Sequence, residues 1–291
     1  MDYYHNKVCL IAGAASGTGA GLVQSLAERK ARVVVTDIDQ EPAVRLADQL
    51  NGQGHRAHGR GLDVRFSQDS QDAVGLTRSK YGRLDLLVNN AGVGSAGELR
   101  DVEVSDRKKV IDVNLCGGIR GVHACLPVMV RQGFGQIVKI SSACGLVPRP
   151  GMIPYATSKP GVVGLSNSLR VEAEDLGIRV NVVCPFNIAT PVYKTTVYKN
   201  LDYEGVLAAT PLPAMSIERC VRRILKRVRR NWEEICNWAG ITVHPYADFE
   251  WWCYRFFPPV ATSLLRRWRR MFRKFRTEKR TREPKENCHV A

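Results

Sequence analysis

The 291-residue chain contains no Cys-x-x-Cys pair. Its nine cysteines, at 9, 116, 125, 144, 184, 220, 236, 253 and 288, are scattered and fall mostly in apolar segments. That argues against a disulfide framework or a zinc site and for reduced packing residues. The six histidines form no pair at metal-ligand spacing, and no metal is expected. No Pro/Gly/Ser tract reads as a linker and no internal repeat is visible, so a length that would allow two domains is expected to give one domain with a tail. No apolar run approaches the roughly twenty residues that cross a bilayer. A first strand entered by about Lys7 leaves no room for a signal peptide. The expected location is cytoplasmic, or peripheral on a membrane surface.

What is present begins with Lys7-Val-Cys-Leu-Ile-Ala12, a short apolar run that reads as a buried parallel strand. Gly13-Ala-Ala-Ser16-Gly17-Thr18-Gly19 follows and opens an amphipathic segment, Ala20 to Arg29. Strand, glycine turn and helix in that order let backbone approach a pyrophosphate, with the helix N-terminus supplying N–H donors and partial positive charge. A second strand, Ala31 to Asp37, ends on an acid placed to accept a hydrogen bond from a ribose 2′-hydroxyl. Asp37 would repel a 2′-phosphate, so NAD is expected over NADP.

Tyr155 and Lys159 lie four apart in Tyr-Ala-Thr-Ser-Lys, with Ser142 thirteen residues upstream. On a helix, positions i and i+4 share a face. A neighbouring ammonium favours the phenolate and should lower the phenol pKa toward a range useful for proton exchange with a substrate oxygen, which Ser142 could hold in place. Alone, such a pair is an ordinary helix-surface spacing. Its position downstream of the glycine turn gives it weight.

In order along the chain stand the glycine turn, Asp37, Asp63-Val64, Asn89-Asn90-Ala91-Gly92, Asn114, Ser142, Tyr155, Lys159 and Pro185 through Thr190. In these residues, from about 5 to about 240, the chain resembles the short-chain dehydrogenase/reductase family. The resemblance implies a Rossmann-type fold and an NAD(P)-dependent oxidoreductase. It makes Tyr155 the general acid/base, Ser142 the residue that positions the substrate oxygen, and Lys159 a ligand of the nicotinamide ribose. Asn114 would hold a water in the proton relay. Gly13, Ser16, Gly17, Thr18 and Gly19 would hold the phosphates, Asp63 and Val64 the adenine, and Asn89, Ala91 and Gly92 the sheet beside the cofactor. Pro185, Ile188 and Thr190 would meet the nicotinamide end. A homodimer or homotetramer built on two long helices, near 107–131 and 155–176, is implied as well. Four residues depart from the family pattern: Ala12, Thr18, Phe186 in place of a usual glycine, and Pro160 directly after Lys159.

Further strands are expected at Leu84 to Asn89, Gln136 to Ser141 and Arg179 to Cys184. Helical periodicity fills much of Pro42 to Leu50, Arg107 to Met129 and Tyr155 to Asp175. This alternation predicts an α/β, doubly wound three-layer sandwich around a central parallel sheet, over residues 1–240. Residues 241–276 form a basic, amphipathic helical extension, and 277–291 a polar tail expected to be disordered.

Charge is divided unevenly. Residues 1–218 carry a balance of +3 and residues 219–291 one of +12. Val260, Leu264, Trp268, Met271, Phe272 and Phe275 recur at helical spacing, with seven basic residues between 266 and 276. Phe249 to Phe257 packs six aromatics into nine residues. This composition over 249–276 fits an anionic membrane surface; packing on the enzyme or a sister subunit is the alternative, and nucleic acid the least favoured partner.

Two loops should shape the substrate site. Leu146, Val147, Met152 and Ile153 come from one; Val192, Tyr193, Val197, Tyr198, Leu201 and Leu207 come from the other. Their apolar character predicts a small apolar, lipid-like secondary alcohol or ketone, unless Arg149 or Lys194 engages a carboxylate or phosphate. The reading is an oxidoreductase; its alternative is a catalytically minor, NAD-sensing scaffold that uses the basic tail for recruitment.

Overall fold

The computed structural model describes residues 2–208, 214–230, 241–242 and 245–277. The chain opens with β1 (Val8–Ala12), α1 (Gly17–Glu28), β2 (Arg32–Asp37), α2 (Gln40–Gly52), β3 (Arg56–Gly61), α3 (Ser67–Tyr81) and β4 (Leu86–Asn89). Then come β5 (Ser95–Ala96), α4 (Val104–Ile111), α5 (Gly117–Gln132), β6 (Gly135–Ile140), α6 (Ile153–Glu174) and β7 (Ile178–Cys184). It continues through α7 (Val192–Thr195), β8 (Val197–Tyr198), α8 (Tyr203–Ala208), α9 (Ile217–Arg229), β9 (Ile241–Thr242), α10 (Pro245–Phe256) and α11 (Pro258–Lys274). Side chains of Lys194 and Leu207, Cys236, Cys288 and the tail 278–291 lie outside the described residues.

Seven strands pair in parallel in the order β3-β2-β1-β4-β6-β7-β9. Because strand side chains alternate faces, β1 sends Cys9 and Ile11 to one layer and Leu10 and Ala12 to the other. The first layer meets Leu22 and Leu26 of α1 and Ile224 and Leu225 of α9; the second meets Val74 of α3 and Cys125 and Met129 of α5. The result is the expected three-layer sandwich with a helical extension. From β1 the connections run outward to β2 and β3 on one side and to β4 on the other, so the order reverses between β1 and β4. A crevice opens at such a point, outside the strand C-termini, and the glycine turn, Asp37 and the residues after β4 all lie there.

Two elements carry no apolar signal and went unforeseen. β3 reads Arg-Ala-His-Gly-Arg-Gly, and as an edge strand it buries only Ala57 fully. Its Gly59 lets α2 close on it: a Cβ there would overlap the backbone of Val44. The polar helix α3 buries Ala73 and Val74 beneath an otherwise hydrophilic surface.

Helical structure runs from Val104 to Gln132, with a π turn at Asp112–Cys116 joining α4 to α5. An 18-residue window in it has mean hydropathy 1.3, long and apolar enough to cross a membrane, which corrects the expectation that no such stretch exists. In this fold the segment is a layer of the sandwich, with Val122, Cys125, Val128 and Met129 packed in its core. Pro160 falls at the eighth residue of α6, past the first turn, and the helix continues through it to Glu174. Ser166 and Leu169 beyond it are buried, so packing offsets the one backbone bond that Pro160 removes.

Candidate active site

The glycine turn is held open by its neighbours. Gly13 has φ +70 and Gly17 φ +53, conformations that residues with a Cβ rarely adopt. A Cβ at residue 13 would lie 2.6 Å from Ala91 Cα, and one at residue 19 would overlap the Gly13 carbonyl oxygen. That carbonyl accepts from Asn90 Nδ2 at 2.6 Å, which ties the turn to the end of β4. Ser16 caps α1 without a side-chain hydrogen bond, and Gly17 and Thr18 face the crevice. Uncapped amides at a helix N-terminus, reached across glycines, fit a pyrophosphate. Asp37 Oδ2 accepts from Ala15 N at 3.0 Å, so the acid expected to meet a ribose also braces the turn.

The crevice is a cavity of about 500 Å³. Of the residues expected to bind cofactor, Gly13, Ser16, Gly17, Thr18, Asp37, Asp63, Val64, Ala91, Gly92, Pro185, Ile188 and Thr190 line it, with Ser142, Tyr155 and Lys159. Gly19, Asn89 and Asn114 do not. Gly19 packs behind the turn. Asn89 donates to Gly118 O at 3.4 Å and crowds Gly121, joining β4 to α5. Asp63 gives its carboxylate to Arg65, whose hydrogen bonds hold it below the usual carboxylate range. Asn90, Ile38, Leu62 and Asn187 also line the cavity and were not singled out beforehand. Asn90 stood within the recognised Asn-Asn-Ala-Gly stretch; the alternation of side chains along β4 was the signal that could have separated it from Asn89.

Both polar atoms of the Asn114 amide have partners inside the protein. Its Oδ1 accepts from Val93 N at 2.8 Å, and its Nδ2 donates to Val93 O at 3.0 Å and Ser158 Oγ at 3.1 Å. It sits in the π turn and fixes the Gly92–Val93 backbone beside Lys159. Such turns are frequent at functional sites.

α6 carries Tyr155 and Lys159 on one face, with Lys159 Nζ 5.3 Å from the Tyr155 ring centroid and donating to Ile140 O at 3.1 Å. Burial is the main influence on both groups. It pushes the Tyr155 phenol well above its ordinary value, against the pull of its hydrogen bond with Ser142. It pushes Lys159 down to about 8. The expectation that the ammonium sets the phenol pKa is therefore corrected for the cofactor-free protein: desolvation outweighs it.

Lys159 is a stability liability with a definite sign. Its folded pKa lies below the lysine value of about 10.4 in an unfolded chain. Between those values the unfolded state binds more protons, so stability rises with pH across that window and the penalty is complete below it. Lys159→Met should stabilise the cofactor-free protein at neutral pH by about 2 kcal/mol, once about 1 kcal/mol is removed for the lost bond to Ile140. A denaturant melt showing net destabilisation would count against a desolvated ammonium.

On the substrate side, Val192 and Tyr193 line the cavity. Met152, Tyr198 and Leu201 instead pack with Phe272 and Phe275 of the extension, and Ile153 is exposed. Arg149 is buried in an ion pair with Glu250 of α10, its guanidinium 5.8 Å from the Phe186 ring centroid and 5.5 Å from that of Trp268. The carboxylate it engages thus belongs to this chain. The Phe186 ring lies 5.2 Å from that of Tyr246 at a tilt of 51°, and the left-handed position falls one residue later, at Asn187, φ +30.

The model of the short chain dehydrogenase family matches residues 7–200. A curated oxidoreductase of Salmonella typhimurium, UcpA, is 42% identical over 193 residues, 66% of this chain and 73% of its own. The mitochondrial borneol dehydrogenase of Lavandula x intermedia is 37% identical over 188 residues, 64% of this chain and 71% of its own. A crystal structure of a short-chain dehydrogenase/reductase from Burkholderia phymatum in complex with NAD superposes with TM-score 0.76 at 24% identity, covering 84% of this chain and 92% of that one. This chain belongs to the short-chain dehydrogenase/reductase family, the NAD(P)-dependent oxidoreductases of alcohols and ketones.

Proposed function

We propose that the protein transfers a hydride between NAD(H) and an apolar secondary alcohol or ketone, with Tyr155 as general acid/base. The observation that carries this reading is that Gly13, Asp37, Ser142, Tyr155 and Lys159 line one cavity. Bound NAD supplies the two-electron carrier. Gly17, Thr18 and the α1 amides hold its phosphates, Asp37 the adenosine ribose, Asp63 and Val64 the adenine, and Lys159 the nicotinamide ribose. Pro185, Ile188 and Thr190 border the nicotinamide.

Tyr155 gives its proton to the substrate oxygen in reduction and takes it back in oxidation. Its raised pKa keeps the phenol protonated and ready to donate. Ser142 shares a hydrogen bond with that phenol and holds the same oxygen. Asn114 supports the relay through the Val93 backbone. Ile188, Val192 and Tyr193 favour an apolar substrate, and one relative is named for borneol, an apolar secondary alcohol. The catalytic unit, 1–240, acts as a homodimer or homotetramer through α5 and α6, whose outer faces leave Ile119, Val130 and Val171 exposed. The extension associates with an anionic membrane.

A panel of ketones tested with NADH and with NADPH examines this directly. NADH oxidation should exceed NADPH oxidation, and Asp37→Ala should narrow the affinity ratio by about tenfold, the worth of one charge-assisted hydrogen bond. An unchanged ratio removes Asp37 from its role.

A further inference from the structure

α11 and its C-cap residue Phe275 carry two apolar stripes with different fates. Ala261, Trp268, Phe272 and Phe275 turn to the enzyme: Phe272 is buried with Ala96 and Leu201, and Trp268 Nε1 donates to Pro150 O at 3.3 Å. Arg273 and Arg276 pair with Glu98, at 2.6 and 2.8 Å. That end is fixed. On the neighbouring flank Val260 and Leu264 stay in water, beside Phe257 at the elbow between α10 and α11. α10 adds Phe249, Trp252 and Phe256 at i, i+3 and i+7. Phe249 is 58% exposed, Trp252 54%, Phe256 53% and Phe257 56%. Single exposed apolar residues are normal; a contiguous aromatic tip is an interaction site.

Five arginines, Arg255, Arg266, Arg267, Arg269 and Arg270, are exposed around this tip. Among the described residues none of them is in an ion pair, whereas Arg149, Arg273 and Arg276 all are. Of the two acids on α10, Glu250 is consumed by Arg149. The tip is thus a helix–helix elbow closed by Pro258 and Pro259, rimmed almost wholly by positive charge. A diffuse anionic surface with an apolar layer beneath it complements that shape and charge.

We propose that the α10–α11 elbow docks on an anionic lipid bilayer, with Phe249, Trp252, Phe256 and Phe257 in the headgroup–acyl boundary and the arginines at lipid phosphates. This rests on the membrane part of the function proposed above and is independent of its chemistry. It narrows the apolar contact from 249–276 to the elbow, since Trp268, Phe272 and Phe275 are engaged with the enzyme while Arg269 and Arg270 beside them stay exposed. Trp268 lies about 15 Å along α11 from the elbow and grips the loop that leads to Tyr155. The substrate loops therefore sit close to the lipid, where an apolar substrate concentrates.

The test uses the full-length protein and vesicles of phosphatidylcholine with or without phosphatidylserine, read by sedimentation and by tryptophan quenching with brominated lipid. The wild type should bind only the phosphatidylserine vesicles, with quenching. The double variant Phe256→Glu/Phe257→Glu should weaken binding by at least about tenfold, and so should glutamine at Arg266, Arg267, Arg269 and Arg270 together. NADH affinity unchanged in both variants shows the fold intact. The proposal is overturned if wild type stays in the supernatant, or if the Phe→Glu pair binds vesicles normally, which marks adsorption by charge alone. It is also overturned if that pair changes the oligomeric state and leaves vesicle binding untouched, which makes the elbow a self-association face. Vesicle binding without NADH oxidation would sink the chemistry and leave the docking surface standing.

Discussion

Tyr155→Phe lowers ketone-dependent NADH oxidation by about a thousandfold or more and leaves NADH affinity within about twofold. The substitution deletes one oxygen and keeps the ring, so the Lys159 Nζ contact 5.3 Å from its centroid survives. What disappears is the proton donor and its hydrogen bond with Ser142. Losing one partly satisfied buried hydroxyl costs about 1 kcal/mol of stability, too little to unfold the domain. Turnover is followed by NADH absorbance and affinity by NADH fluorescence, on the same preparation. Near-normal turnover would remove Tyr155 from the chemistry. Lost turnover with lost NADH binding would make it a cofactor-site residue instead.

Gly19→Ala abolishes NADH binding, with affinity reduced by about a hundredfold or more. A single methyl there overlaps the Gly13 carbonyl oxygen and lies 2.7 Å from Asn90 Nδ2. Both are parts of the cradle: the carbonyl is backbone, and the amide is its hydrogen-bond partner. The carbonyl cannot move without its backbone, and the amide can swing away only by giving up its bond to that carbonyl, so either the turn opens or α1 is displaced. Overpacking of this kind costs about 1–3 kcal/mol, which a thermal melt will register as a modest loss. The larger effect is on the cofactor, because the displaced atoms include the α1 amides proposed above to hold its phosphates. Calorimetric titration with NADH measures it. Wild-type affinity in Gly19→Ala would mean that the turn does not cradle the cofactor.

The elements legible in the sequence are those whose chemistry is local. Val8–Ala12 and Arg32–Asp37 are short apolar runs, and the turn between β1 and α1 announces itself by its glycines. Tyr155, Lys159 and Ser142 were visible as a spacing, and the cavity they share with the turn is where the strand order reverses. What sequence hid is what depends on burial or on distant partners. β3 is polar because it is an edge strand. The direction of the Tyr155 shift could not be read from a neighbouring lysine, since desolvation of the helix face decides it. Arg149 looked free to meet a substrate anion until Glu250, 101 residues away, came to rest against it. In sequence the amphipathic tail is one stripe, yet contacts with Pro150, Glu98 and Leu201 divide it into a docked flank and an exposed elbow.

The most direct measurement of the central claim follows the hydride itself. The wild-type protein is incubated with NADH deuterated at the transferable C4 position and with the ketone panel, and the alcohol products are examined by mass spectrometry. The account predicts that one deuterium appears on the carbinol carbon of an apolar secondary alcohol, and that Tyr155→Phe forms no such product while still binding NADH. Tight NADH binding with no deuterium transferred to any ketone would contradict it, and would be the behaviour of a nucleotide-sensing scaffold.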